Sequence, residues 1–243
     1  MPIQLVKRTT AGQSRMGALA APAPPVTAQQ PTSQPPTGKA TTFTTADQNA
    51  MLQRQRAQMD GNSRQAINDY TNPAQQANGY ALSQNMNHKL NTGQPLTAAE
   101  KKLQGELDKI MVPIGKETTL YRATHDNFLT RMGFDVNNYS TNAQLNKALT
   151  GVTWQEKGFQ STSHTASKNP FWPGGYMSGG REVLIKIHTG SGAKAALVQT
   201  SQAEVLLARG TNYRITGAKF TGGRAYPQKG GVKKIIEIDV EVW

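Results

Sequence analysis

Gln202-Ala203-Glu204-Val205-Leu206-Leu207-Ala208-Arg209-Gly210-Thr211 decides how the rest of this chain is read. Val205, Leu206 and Leu207 make a short apolar run closed by a glycine, the pattern of a buried strand that ends in a turn at Gly210. That strand places Glu204 at its mouth, a carboxylate carried on rigid backbone. A fixed anion of this kind serves chemistry in which positive charge develops on a sugar ring. Its meaning depends on what the neighbouring strands bring to it.

On either side the pattern is also β. Asn212–Thr216 continues beyond the turn, and Arg181–His188 precedes it as a strand. Ile236, Ile238, Val240 and Val242 alternate with Glu237, Asp239 and Glu241, which predicts a half-buried antiparallel strand over 235–242. Gly158–Ser163 reads as a strand with a polar end, and Thr118–Thr124 as another. Residues 126–150 are mixed, with a short helix at Asn142–Leu149. Glycine pairs at 174–175, 179–180, 222–223 and 230–231 mark turns or loops.

Before Pro113 the period is helical. Thr44 or Thr45 caps a helix continued by Met51, Arg54 and Gln58. Helices follow over Ser63–Tyr70 and Gly79–Leu90, where Leu82, Met86 and Leu90 recur every four residues. Thr97-Ala-Ala-Glu100 is a capping box for a helix with Leu103, Leu107 and Ile110 on its inner face. The fold class is therefore α+β. A helical unit over 46–112 precedes a mainly antiparallel two-sheet β core over 113–243. Residues 1–45 read as a flexible basic arm rich in Pro, Gln and Thr, with no acidic residue before Asp47.

Composition narrows the function classes. A net charge of +12 over 243 residues favours anionic partners. With no cysteine, disulfides and cysteine–zinc sites are excluded. His88, His125, His164 and His188 lack ligand spacing, so no metal is expected. No apolar run is long enough for a membrane helix, and Met1–Arg15 lacks the apolar core of a secretory signal.

Three polar features interrupt the β core: Arg122 after Tyr121 on one strand, Ser161-Thr162-Ser163 after Phe159 on the next, and Gln202-Ala203-Glu204 before the third. In this order they resemble the arginine–serine–glutamate class of mono-ADP-ribosyltransferases, which includes clostridial Rho-modifying exoenzymes, binary actin-modifying toxins and enzymes injected by phages. The likeness covers about residues 63–243. It implies the ADP-ribosyltransferase fold and NAD as substrate, split at the nicotinamide–ribose bond without a metal. Arg122, with Tyr121 beside it, would hold an NAD phosphate and ribose, since a guanidinium fork meets phosphate oxygens bidentately. Ser161 would position the ribose and the glutamate, and Thr162 and Ser163 would shape the pocket. Glu204 would bind the ribose 2′-hydroxyl and stabilise an oxocarbenium-like transition state. In the loop 164–180, Tyr176 or Phe171 would cover the nicotinamide, and Arg181 would meet a phosphate.

The resemblance also bears on the acceptor. Gln202 stands where arginine-modifying relatives carry glutamate, so the acceptor is expected not to be arginine. Ala195–Ser201 would be the target-recognition loop. A protein acceptor in a host cell is expected, and the basic surface keeps a nucleic-acid acceptor open. The leader fits an effector delivered without a classical signal peptide, or a phage protein carried in the virion, with virion neighbours ordering the arm. The alternatives are a virion structural protein that reuses the fold, and an enzyme that mainly hydrolyses NAD.

Overall fold

Side-chain caps start the helices where the sequence supplies them. The computed structural model describes residues 35–38, 40–74, 76, 79–165, 181–199, 203–225 and 232–243. Helix α1 (Thr45–Arg56) opens on Thr44, which forms a capping box with Asp47, and α2 (Gly61–Thr71) opens on Asp60. Helix α3 (Leu82–Thr92) ends at Gly93 in the left-handed conformation, and α4 (Ala98–Lys109) opens on the expected Thr97–Glu100 box. Each such cap contributes about 1 kcal/mol. Strands β1 (Val112–Pro113) and β2 (Thr118–His125) follow, then α5 (Asn127–Arg131) and a single 3-10 turn at Val136–Asn138. Next come α6 (Asn142–Leu149), β3 (Thr153–Glu156), β4 (Gln160–Ser163) and β5 (Glu182–Thr189). The remaining strands are β6 (Lys194–Gln199), β7 (Glu204–Leu207), β8 (Thr211–Ala225) and β9 (Val232–Val242).

The strands hydrogen-bond in the order β1-β6-β7-β4-β2-β5-β9-β8-β3. The two expected sheets are the two halves of this ladder. They meet at β2 and β4 through one residue pairing, Tyr121 with Ser163, whereas β2 and β5 pair along eight residues. One hydrophobic cluster contains Leu120, Ile185, Ile238 and Val240 from the long-stranded half and Ala195, Leu197, Val205 and Leu207 from the short-stranded half. A second cluster packs Tyr70, Met86, Leu103 and Leu107 of the helices against Phe159, Ala196 and Leu206. This explains the unbroken Val205-Leu206-Leu207 run. Alternate side chains enter different cores, so the strand is buried on both faces.

Several expectations need correction. Strand β9 is antiparallel to β8 but parallel to β5, because the chain returns to pair on both sides of it. The Gly222–Gly223 pair is no loop: it lies within β8 at a register shift, where the absence of side chains accommodates a bulge. Residues 195–199 are strand rather than loop, since Ala195, Ala196 and Leu197 each fill a core. The body also begins upstream of the boundary at residue 45. Phe43 is buried in the first core, Thr41 bridges Thr118, and the Glu117 carboxylate accepts from the Thr37 and Gly38 amides. The other three glycine pairs lie outside the described residues.

Candidate active site

The single Tyr121–Ser163 pairing brings the three motif strands side by side as β7-β4-β2. Ser163 is opposite Glu204, Thr162 opposite Val205, and Ser161 opposite Leu206. Arg122 reaches across from β2, and its Nη1 donates to the Ser161 carbonyl at 2.6 Å. Among the described residues no other hydrogen bond engages this guanidinium, and no carboxylate lies within ion-pair distance of it. A fork with most of its donors open is suited to an anionic ligand.

Glu204 is half-buried at the first position of β7. Burial pushes its carboxyl pKa up, while a hydrogen bond from Ser161 and the charge of Arg122 pull the other way without cancelling the rise. The carboxylate is thus held near a cation but not neutralised by it.

The residue before it is held under constraint. Ala203 has φ of 55°, the one non-glycine residue with positive φ among those described. An alanine there costs about 1–2 kcal/mol. Its carbonyl accepts from His164 N at 3.2 Å, which ties the turn into β7 to the end of β4. Backbone strain next to the key carboxylate is typical of a functional turn.

The helices place Ser161, through residues that the sequence reading did not assign to the site. Asn91 and Asn87 on α3 accept from the Gly158 and Phe159 amides at 2.8 and 2.9 Å. A side chain at Gly158 would meet Asn87 Oδ1 at 3.0 Å, so this close approach favours glycine. With its oxygen so occupied, Asn87 donates through Nδ2 to the Tyr70 hydroxyl at 3.2 Å. Tyr70 lies 3.3 Å from Ser161 Oγ. Asn87 thus donates to Tyr70, Tyr70 and Ser161 share a hydrogen bond that either hydroxyl can donate, and Ser161 is close enough to Glu204 to pull its pKa down against burial. Burial raises the Tyr70 pKa, so its hydroxyl stays protonated as a donor. The sequence signals for Tyr70 are its place at the end of the Ile67 stripe, which reads equally well as core packing, and the likeness of Ile67–Thr71 to the family's helical lead-in.

Not every expected residue joins this group. Thr162 is buried and donates to the Val205 carbonyl, while Ser163 is fully buried and accepts from Thr165 N at 3.2 Å. Both hydroxyls hold strands and turns together. Tyr121 is in register with Lys186, which belongs to the charged outer face of the long-stranded half. Arg181 is engaged elsewhere: it donates to Asn137 at 3.2 Å and lies 5.6 Å over the Phe220 ring. Gln202, Tyr176 and Phe171 lie outside the described residues.

This arrangement bears on comparison with known proteins. The profile described as ADP-ribosyltransferase exoenzyme matches residues 47–241. The chain belongs to the ADP-ribosyltransferase exoenzyme family. Solved structures of this fold include Plx2a, an ADP-ribosyltransferase toxin from Paenibacillus larvae. It is 19% identical over 81% of this chain and 92% of its own, with a TM-score of 0.56. C3stau2 from S. aureus, solved with NAD, is 20% identical over 84% of this chain and 99% of its own, with a TM-score of 0.55. BECa, an ADP-ribosylating toxin of a C. perfringens binary enterotoxin solved with NADH, is 17% identical over 79% of this chain and 46% of its own, with a TM-score of 0.53. No curated protein matches the sequence. The family's arginine–serine–glutamate class is the one whose three motifs this exoenzyme carries on β2, β4 and β7.

Proposed function

We propose that this exoenzyme is an NAD-dependent mono-ADP-ribosyltransferase in which Arg122, Ser161 and Glu204 act on NAD and the acceptor is a protein of a host cell. The observation that carries the reading is Glu204 itself. It is a half-buried carboxylate of raised pKa, hydrogen-bonded by Ser161 and close to an arginine that leaves it unpaired. The donor set suits the ligand: open guanidinium N–H groups match a phosphate, and a hydroxyl beside a carboxylate matches a ribose diol. When bound, NAD supplies the ADP-ribose and a nicotinamide leaving group that departs with the electron pair of its bond to the ribose.

Arg122 holds the anionic end of the ligand, and Ser161 orients Glu204. Glu204, in its ionised form, lies where positive charge develops on the sugar and stabilises it in surroundings poor in water. The Tyr70–Asn87 pair fixes Ser161 and thereby the carboxylate. Thr162 and Ser163 act as structural supports of the pocket wall. Arg181 becomes a phosphate ligand only if its side chain leaves Asn137, so its contribution is the smaller of the two arginines. Gln202 reads the acceptor and turns the enzyme away from arginine, and Tyr176 covers the nicotinamide. The Pro-, Gln- and Thr-rich arm is the delivery segment of an injected or secreted effector, and the likeness in fold to the toxins Plx2a and BECa supports that class.

Incubation with labelled NAD and a host-cell lysate tests the reading. Label on protein is the expected result. Free ADP-ribose without labelled protein would make the enzyme a glycohydrolase, and absence of both products would leave a structural role for the fold. Gln202→Glu is expected to keep nicotinamide release while changing which acceptor is labelled. Loss of release in that variant would assign Gln202 to NAD cleavage instead.

A further inference from the structure

A cavity of about 480 Å³ lies beside the candidate site, between α1, α2 and the end of β6. Its size is that of a ligand cleft, about 300–1,000 Å³. Leu52, Met59, Ile67 and Val198 give it an apolar floor, all four only half-buried. Arg56 and Arg64 stand exposed on its rim, and among the described residues neither has a carboxylate within ion-pair distance. Asp60 lies between them in sequence but is occupied: it caps α2 through Ser63 and faces Lys109. The wall is rigid because the buried Gln55 side chain clamps both the N–H and the C=O of Leu197, at 3.0 and 3.1 Å.

Two walls of this groove run directly into the site. On α2, Arg64, Ile67 and Tyr70 follow at three-residue spacing, which puts Arg64 about 9 Å along the axis from the tyrosine that touches Ser161. On β6, Val198 precedes Gln199, the register partner of Glu204. The groove wall therefore passes next to the strand position of Glu204.

Resting on the transferase reading above, we propose that this groove docks the protein acceptor, through a segment that carries an apolar side chain beside one or more carboxylates. The apolar floor takes the side chain and the two open guanidinium forks take the carboxylates. Nucleic acid fits less well, because single strands are held on aromatic stacking platforms and this groove has none. The chain's own leader, with Lys7 and Arg8 beside Leu5 and Val6, carries the wrong charge for the rim, as does a second copy of a chain with net charge +12.

Fluorescent poly(Glu,Tyr) copolymer is a suitable probe, titrated against the full chain at about 0.15 M salt, where long-range attraction is screened. Arg56→Glu combined with Arg64→Glu is expected to weaken binding at least tenfold and to lower ADP-ribose transfer to lysate protein. Nicotinamide release from NAD without acceptor should be unchanged. Ile67→Ala should weaken poly(Glu,Tyr) binding but not the weaker binding of poly-Glu. The proposal is overturned if the double variant binds and transfers like wild type, or if poly-Glu binds as tightly as the copolymer. Equal competition by oligo-dT would assign the groove to nucleic acid. Tighter copolymer binding by full-length Leu5→Ser with Val6→Ser would make the leader its occupant. A wild-type chain that releases no nicotinamide defeats the transferase reading itself, whatever the copolymer does.

Discussion

Glu204 and Glu237 are both half-buried glutamates on sheet strands, and their surroundings push them in opposite directions. At Glu204 burial raises the pKa, and Ser161 and Arg122 compensate only in part. At Glu237 burial also raises it, but hydrogen bonds from Lys186 and Lys219, at 2.7 and 3.0 Å, outweigh it and the pKa is lowered. Its neighbours on the same face follow suit: Asp239 is lowered by His188, and Glu241 pairs with Arg214. One region of the sheet pairs its carboxylates with close basic side chains. The other keeps a carboxylate desolvated and near, but not on, a cation. The second arrangement costs stability and leaves the charge free for a ligand.

The largest test of this contrast is direct. Glu204→Ala is expected to cut nicotinamide release from NAD by at least about 100-fold, the scale of one lost preorganised electrostatic group. Glu237→Ala should leave it within about twofold, as expected of a surface-type ion pair. Equal losses in the two variants would erase the distinction between the regions.

The next effect concerns the fork at Arg122. Arg122→Lys keeps the charge but loses the planar fork, and a rise in KM for NAD of about tenfold is expected, equivalent to about 1.4 kcal/mol. Arg181→Lys should change KM by less, since Arg181 is engaged by Asn137 and Phe220. The reverse ranking would move the phosphate site toward Arg181. Tyr70→Phe removes the hydroxyl that holds Ser161, a neutral hydrogen bond of about 1 kcal/mol, and about a fivefold fall in kcat with little change in KM is expected. An unchanged kcat would reduce Tyr70 to core packing.

The smallest effects are on stability and its pH dependence. A raised pKa means that the folded state disfavours the ionised form, so Glu204 weakens folding at neutral pH. That penalty disappears below the ordinary glutamate value of 4.5, where the group is protonated folded and unfolded. Glu204→Gln should therefore raise Tm at pH 7 and lose that advantage on acidification below 4.5. Glu237 has the opposite sign: its stabilisation is present above 4.5 and is lost as pH falls through its lowered value, so Glu237→Gln should lower Tm at pH 7. Paired melting curves at the two pH values read both signs, and a common direction would contradict the opposed environments. The same rise at Glu204 puts the acid limb of nicotinamide release above 4.5 in the wild type.

Much of this was legible from local pattern. The capping boxes at Thr44 and Thr97, the helix at Asn142–Leu149 and the strand positions of Arg122, Ser161 and Glu204 depend on residues close in sequence, and the structure has them. The β-bulge at Gly222–Gly223 was misread because a glycine pair looks the same in a loop and within a bulged strand. The resemblance makes Ala195–Ser201 a recognition loop, whereas Lys194–Gln199 is strand β6 with Ala195 and Ala196 fully buried, because a family likeness does not fix where a strand ends. The partly parallel placement of β9 had no local signature, since side-chain alternation does not report strand direction.

By itself the sequence determined that Arg122, Ser161 and Glu204 sit on three strands in that order, because short strands with polar interruptions keep their order and spacing wherever the strands finally lie. Only the tertiary structure decided what those residues experience. The Asn87–Tyr70–Ser161 chain links positions far apart in the sequence, and the shift at Glu204 comes from burial beneath packed elements. The groove beside the site is formed where two helices meet one strand end. Desolvation and hydrogen-bond geometry belong to neighbours in space, and a linear pattern holds no record of them until the helices close over the sheet.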